Sequence, residues 1–125
     1  MKYINTNDGL KPAGHYSQGI IYKDLIFISG QFSIDPITGD KKHGTIEQET
    51  QQILENIESI LKEAGSSKDK VLKVTLFISD ISLWNKVNEV YSSFFGEHKP
   101  ARSVVPAGEL HYGFKVEVEA IAAID

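Results

Sequence analysis

The segment Lys115-Val116-Glu117-Val118-Glu119-Ala120-Ile121-Ala122-Ala123 alternates in the manner of a strand, which puts Glu117 and Glu119 on the face that continues with Ile121 and Ala123. Two carboxylates therefore head a face that turns apolar. Either the strand emerges into solvent at that end, or both groups pair with lysine, or one lies at the mouth of a cleft. In the last case partial burial equips it to accept a proton or to hold a water. Arg102 follows Lys99-Pro100-Ala101 and precedes Ser103-Val104-Val105, at the start of an apolar extended stretch. There it serves either as a strand-end partner for a surface carboxylate or as a planar fork that grips a substrate carboxylate through two hydrogen bonds. Gly14-His15-Tyr16-Ser17-Gln18-Gly19 and Ile28-Ser29-Gly30-Gln31 are ordinary turns on one reading. On the other, glycine lets backbone approach a ligand closely, and a loop tyrosine offers both a ring face and a hydroxyl.

Other chemistries are excluded or unsupported. The chain has no cysteine, which removes thiol nucleophiles, thiolate-bound zinc, iron–sulfur clusters and redox disulfides. No phosphate-binding glycine loop, dinucleotide fingerprint or nucleophile elbow is present, and Ser29-Gly30-Gln31 lacks the flanking glycines of the last. His15, His43, His98 and His111 fall in four separate segments with no pair at the i, i+4 spacing of a helical zinc site. No metal is expected. The 13 basic and 17 acidic side chains give a formal charge of -4, and the longest basic run is the loop Lys41-Lys42-His43. A nucleic-acid surface, which rests on clustered cations, is therefore not expected. The first residues have no apolar signal core, and no segment approaches the roughly 18 apolar residues of a membrane span. The expectation is a cytoplasmic protein.

The elements that must position these residues can be read from hydrophobic period. Ser17 to Tyr22 and Leu25 to Ser29 form a hairpin about Lys23-Asp24, and Asp35-Pro36-Ile37-Thr38-Gly39-Asp40 is a turn cluster. Ile46, Ile53, Leu54, Ile57, Ile60, Leu61 and Ala64 then recur at helical spacing, with Thr45 as N-cap, Gln48 completing a capping box and Gly65 as the stop. Val71 to Ser79 is a strand with Leu72, Val74, Leu76 and Ile78 on one face and Val71 and Phe77 on the other. A second helix is expected from about Ser82 to Gly96, followed by an extended piece from Arg102 to Val105, a loop from Pro106 to Gly113 and a strand from Phe114 to Ile124. At 125 residues without repeat or linker, the chain is expected to form a single domain of residues 1–125, of α+β class with a mixed sheet. Several strands are apolar on both faces, yet only two amphipathic helices exist to cover them. The uncovered face calls for a partner, for which a second copy of the chain is the simplest candidate.

Taken together and in order, seven segments resemble the reactive intermediate deaminase family, also called Rid or YjgF. They are 13–19, Ile28-Ser29-Gly30-Gln31, Pro36-Ile37-Thr38-Gly39, Gln52-Ile53-Leu54-Glu55-Asn56-Ile57, the strand before Asp80, Pro100-Ala101-Arg102-Ser103 and 116–122, and they span essentially the whole chain. The resemblance implies a chorismate-mutase-like fold: a mixed sheet backed by two helices, three copies forming a homotrimer, and pockets between subunits. It implies hydrolysis of enamines and imines such as 2-aminoacrylate, 2-iminopropanoate and 2-iminobutanoate to 2-oxo acids and ammonia, with no cofactor. By position, Arg102 would bind the substrate carboxylate and Glu117 would serve the attacking water, while Tyr16, Ser29 and Gly30 would line the pocket. An iminium carbon is already electrophilic, so holding the carboxylate, placing a water and taking its proton suffice. The chain departs from the family at Val104, where many members carry cysteine, at His15, where proline is usual, in a slightly shorter segment before Pro100, and in the 106–113 loop, which replaces a leucine-proline turn. Thiol chemistry at position 104 is thereby ruled out. A rival function is a trimeric regulatory protein that binds a carboxylate metabolite without turnover, for which Arg102 is needed but Glu117 is not. Ribonuclease activity or translation inhibition, also attached to the family, fits poorly with the acidic balance.

Overall fold

The computed structural model describes residues 1–125. Helix α1 (Ile46–Glu63) starts where the capping box closes: Gln48 N–H donates to Thr45 Oγ1 at 3.1 Å, and Thr45 N–H donates to Gln48 Oε1 at 2.9 Å. Its apolar stripe, Ile53, Leu54, Ile57, Ile60 and Leu61, is buried, and the helix ends at Ala64 before Gly65. Helix α2 (Trp84–Phe95) begins two residues later than the spacing suggests. The residues before it, Ile81–Leu83, wind into a 3₁₀ turn that Asp80 initiates by accepting the Ser82 N–H at 2.8 Å. Val87, Tyr91, Phe94 and Phe95 face the core, and Gly96 ends the helix.

Six strands form one mixed sheet: β1 (Lys2–Ile4), β2 (Gly19–Tyr22), β3 (Leu25–Gln31), β4 (Val71–Ile78), β5 (Ala101–Pro106) and β6 (Val116–Ala123), in the order β1-β2-β3-β6-β4-β5. All neighbours are antiparallel except β4 and β5, which run parallel because α2 carries the chain between them. The hairpin β2–β3 turns at Lys23-Asp24 as expected. Both helices lie on one face, where Ile26, Ile28, Val74, Leu76, Ile78, Val116, Val118, Ala120 and Ala122 join the helical stripes in a single hydrophobic cluster. The other face presents Phe27, Phe77 and Ile121, which the helices leave partly or largely exposed. No helix is long and apolar enough to cross a membrane.

Strand β2 starts at Gly19 rather than Ser17, and four further details differ from the expectations. Strand β1 was not foreseen, because three residues with two exposed carry almost no periodic signal. Strand β3 continues beyond Ser29 to Gln31. Strand β6 starts at Val116 rather than Phe114, since His111–Gly113 forms a 3₁₀ turn in which Tyr112 has φ 60°, and Phe114 is buried ahead of the ladder. In β4 the register against β6 steps from Val71↔Ala122 to Lys73↔Ile121, so Leu72 is a bulge residue. The bulge breaks the alternation: Leu72 is exposed, and Val71 joins the face of Val74, Leu76 and Ile78.

Candidate functional site

Strand β6 is central, and its neighbour β3 deforms beside it. Pairing runs from Ile28↔Ala120 to Gln31↔Val118, which leaves one extra residue on β3 at Ser29-Gly30. The Glu117 carboxylate packs into this irregularity, directly over Gly30. A Cβ at residue 30 would collide with Glu117 Oε2, so glycine is required there by close approach. Burial pushes the Glu117 carboxyl above its ordinary range; Glu119 on the same face adds to the rise, and His111 partly opposes it. The neighbouring Ser29 is held by its own bonds: its Oγ donates to the Ser17 carbonyl at 2.7 Å and its N–H to the Gln18 carbonyl at 3.0 Å. Gln18 is buried and exchanges two hydrogen bonds with the Thr6 backbone, at 2.8 and 2.9 Å, which ties down the segment leading from Tyr16. Tyr16 itself is half exposed, its hydroxyl accepting the Ala13 N–H at 3.4 Å.

Tyr16, Ser29, Gly30 and Glu117 line one cavity of about 420 Å³. Its remaining wall includes Phe32, Ile34, His111 and Tyr112, none of them singled out from sequence as site residues. Phe32 and Ile34 are placed by a buried asparagine on α1: Asn56 Nδ2 donates to the Ile34 carbonyl at 2.9 Å and to the Phe32 carbonyl at 3.3 Å, while Gln52 Nε2 donates to Asn56 Oδ1 at 2.9 Å. The start of β6 is fixed by a second buried polar group. Glu49, fully enclosed, accepts the Lys115 N–H at 2.9 Å and the Lys115 ammonium at 3.3 Å, two residues before Glu117.

Arg102 is elsewhere. Strand β5 pairs Arg102 with Val74, a residue of the helix-facing side, whereas Glu117 pairs with Phe77 of the opposite side. The guanidinium donates to Asn88 Oδ1 at 2.8 Å and lies over the Tyr91 and Trp84 rings, 4.8 and 5.5 Å from their centroids. It borders a second recess with Asn88, Tyr91 and His98. The Tyr91 hydroxyl is buried without a hydrogen-bond partner, and burial pushes its pKa up to about 12 despite the nearby Arg102 charge. A single chain thus brings Tyr16, Ser29, Gly30 and Glu117 together and leaves Arg102 on the other face. The histidines are dispersed: the His98 ring nitrogen Nε2 meets the Val71 carbonyl at 2.8 Å, His43 stacks on Phe114, and no group of three or more side chains could hold a metal ion.

The chain is similar to known proteins over nearly its whole length. The family described as Endoribonuclease L-PSP matches residues 6–124, and the chain belongs to this Rid/YjgF family. A RutC family protein of Pyrococcus abyssi is 46% identical over 119 residues, covering 95% of this chain and 94% of the relative. The human 2-iminobutanoate/2-iminopropanoate deaminase is 36% identical over 121 residues, covering 97% and 88%. The crystal structure of the YjgF gene product of Escherichia coli superposes with a TM-score of 0.94 at 34% identity, covering 100% of both chains.

Proposed function

We propose that the protein hydrolyses enamine and imine derivatives of short 2-amino acids to 2-oxo acids and ammonia, in a homotrimer whose sites lie between subunits. The observation that carries this reading is the Glu117 carboxylate, half-buried over Gly30 in a cavity sized for a small metabolite and more basic than an exposed glutamate. Its ionised form takes a proton from water as the water oxygen bonds to the iminium carbon, and the C=N π electrons move to nitrogen. The protonated Glu117 then gives that proton to the amine of the carbinolamine. As ammonia leaves, the C=O bond forms and the hydroxyl proton returns to the carboxylate. Tyr16, Ser29 and Gly30 wall the reacting group, and Arg102 of the partner subunit holds the substrate carboxylate. The partly exposed apolar sheet face of Phe27, Phe77 and Ile121 supports assembly, because another copy of the chain would cover it. The reaction needs neither metal nor organic cofactor, since the iminium is electrophilic unaided. RNA cleavage is disfavoured by the -4 charge.

The test is release of ammonia and 2-oxo acid from imino acids generated in place by an amino acid oxidase. Arg102→Ala should abolish both binding and turnover, as a desolvated charge-assisted contact is worth about 2–5 kcal/mol. Glu117→Gln should retain much of the binding of a 2-oxo acid and lose about 100-fold or more in rate. Wild-type protein that binds 2-oxo acids and releases no ammonia from any imino acid would instead be a carboxylate-metabolite sensor.

A further inference from the structure

Glu49 is a buried carboxylate for which the proposed chemistry has no use. It is fully enclosed on α1, where a charge is costly unless it is paired and hydrogen-bonded. Both of its oxygens go to the residue that leads into β6: Oε1 accepts the Lys115 N–H at 2.9 Å, and Oε2 accepts the Lys115 ammonium at 3.3 Å. That ammonium also donates to the Gly44 carbonyl at 3.3 Å, and the Lys115 carbonyl accepts the Ser79 N–H at 2.9 Å. Every polar group of Lys115 is thus engaged, by α1, by the loop before α1 and by the residue after β4.

The start of β6 needs such a hold. Pairing with β3 reaches Val118 and stops, so Glu117 lies one residue past that ladder and has Phe77 of β4 as its strand partner. Its carboxylate nonetheless rests so close to Gly30 that no Cβ fits between them. Misplacing a reacting group by about 1 Å is enough to cost roughly 100-fold in rate. Of the two contacts that Glu49 makes, the one from Oε1 grips main chain, whereas the one from Oε2 grips the end of a flexible side chain. We infer that Glu49 is a positioning residue for Glu117, acting through its bond to the Lys115 N–H, and that the ion pair serves to offset the buried charge. This inference rests on the imine-hydrolase reading and adds a residue to it.

Two double substitutions separate the main-chain bond from the ion pair. Glu49→Gln with Lys115→Met removes both charges and keeps an acceptor for the backbone N–H; Glu49→Leu with Lys115→Met removes the acceptor as well. Neither alters the net charge, and both leave in place Glu119 and His111, the charged or titratable neighbours that act on Glu117. A change in the titration of Glu117 therefore reports its placement. The readouts are kcat and KM for ammonia release across pH, and the Glu117 titration followed by carbon NMR of its carboxyl. The leucine pair should lower kcat about 10-fold and keep KM within about 2-fold, since the substrate carboxylate belongs to Arg102 in the hydrolase reading. It should also move the Glu117 titration, and with it the acidic limb of kcat, down toward the ordinary carboxylate range as water reaches the group. The glutamine pair should restore both. A glutamine pair as impaired as the leucine pair, or a leucine pair in which Glu117 titrates as in the wild type, would overturn the inference. Should the leucine pair not fold, Glu49→Asp, which draws the acceptor back by one methylene, should show both changes in the same direction, and wild-type values there would overturn it. Wild-type protein that hydrolyses no imine, with the Glu117 titration still moved by the leucine pair, would overturn the hydrolase reading and leave the positioning by Glu49 standing.

Discussion

Glu117 occupies a position that disfavours its own charge, and the consequence can be measured separately from catalysis. Its folded-state pKa is raised, chiefly by burial. Below the unfolded value, about 4.3, both states are protonated and the group costs nothing. Between that value and the higher folded one the unfolded chain ionises first, so stability falls as pH rises, and above the folded value the full cost of the desolvated charge remains. Glu117→Gln should therefore melt at a higher temperature than the wild type at about pH 7, with the difference closing near about pH 4. Thermal unfolding followed by circular dichroism at the two pH values checks this, and equal melting at both would mean that the carboxylate is effectively hydrated. Sequence alone exposed the pair Glu117 and Glu119, because two carboxylates head a face that turns apolar, and the family resemblance then picked out Glu117. The sequence could not reveal that Gly30 is the seat of that carboxylate, since the contact joins residues 87 positions apart through a bulge that no local pattern announces.

At the scale of elements, the site depends on polar groups that look misplaced in a helix. Asn56 interrupts the apolar stripe of α1, yet its amide holds the Phe32 and Ile34 carbonyls and so fixes one cavity wall. Asn56→Ala should strip two carbonyls of their donor and destabilise the protein by about 2–3 kcal/mol. Urea unfolding at fixed protein concentration measures the loss, and a change under about 0.5 kcal/mol would show that water replaces the amide. The strong periods of α1 and α2 and the hairpin turn were legible because burial enforces them over many residues. What escaped was set by pairing: the bulge at Leu72 inverted a face, and the side of the sheet on which Arg102 falls follows from its register with Val74. His111 and Tyr112 escaped for a different reason, because a glycine-flanked loop gives no period from which direction can be inferred.

At the scale of the whole molecule, Arg102, proposed to hold the substrate, and Glu117, proposed to serve the water, lie on opposite faces of one sheet, which the proposed pairing of two copies would reconcile. The second apolar face was legible in strands apolar on both sides; that further copies of the chain cover it, three in all, belongs to the proposed function. A mixing experiment reads the arrangement directly. Arg102→Ala and Glu117→Gln chains, each inactive alone, should regain about a quarter of wild-type activity when co-assembled in equal amounts, because that share of neighbouring pairs in a ring of three unites an intact Arg102 with an intact Glu117. No recovery in co-assembled trimers would put both residues of each site on one chain. The central position of β6 has one more consequence. Glu117 rides on a strand laddered on both sides, among the last amides expected to exchange with solvent, whereas Tyr16 and Tyr112 stand on connecting segments. Local opening is thus expected first at the two tyrosines on the connecting segments and last at the strand that carries Glu117.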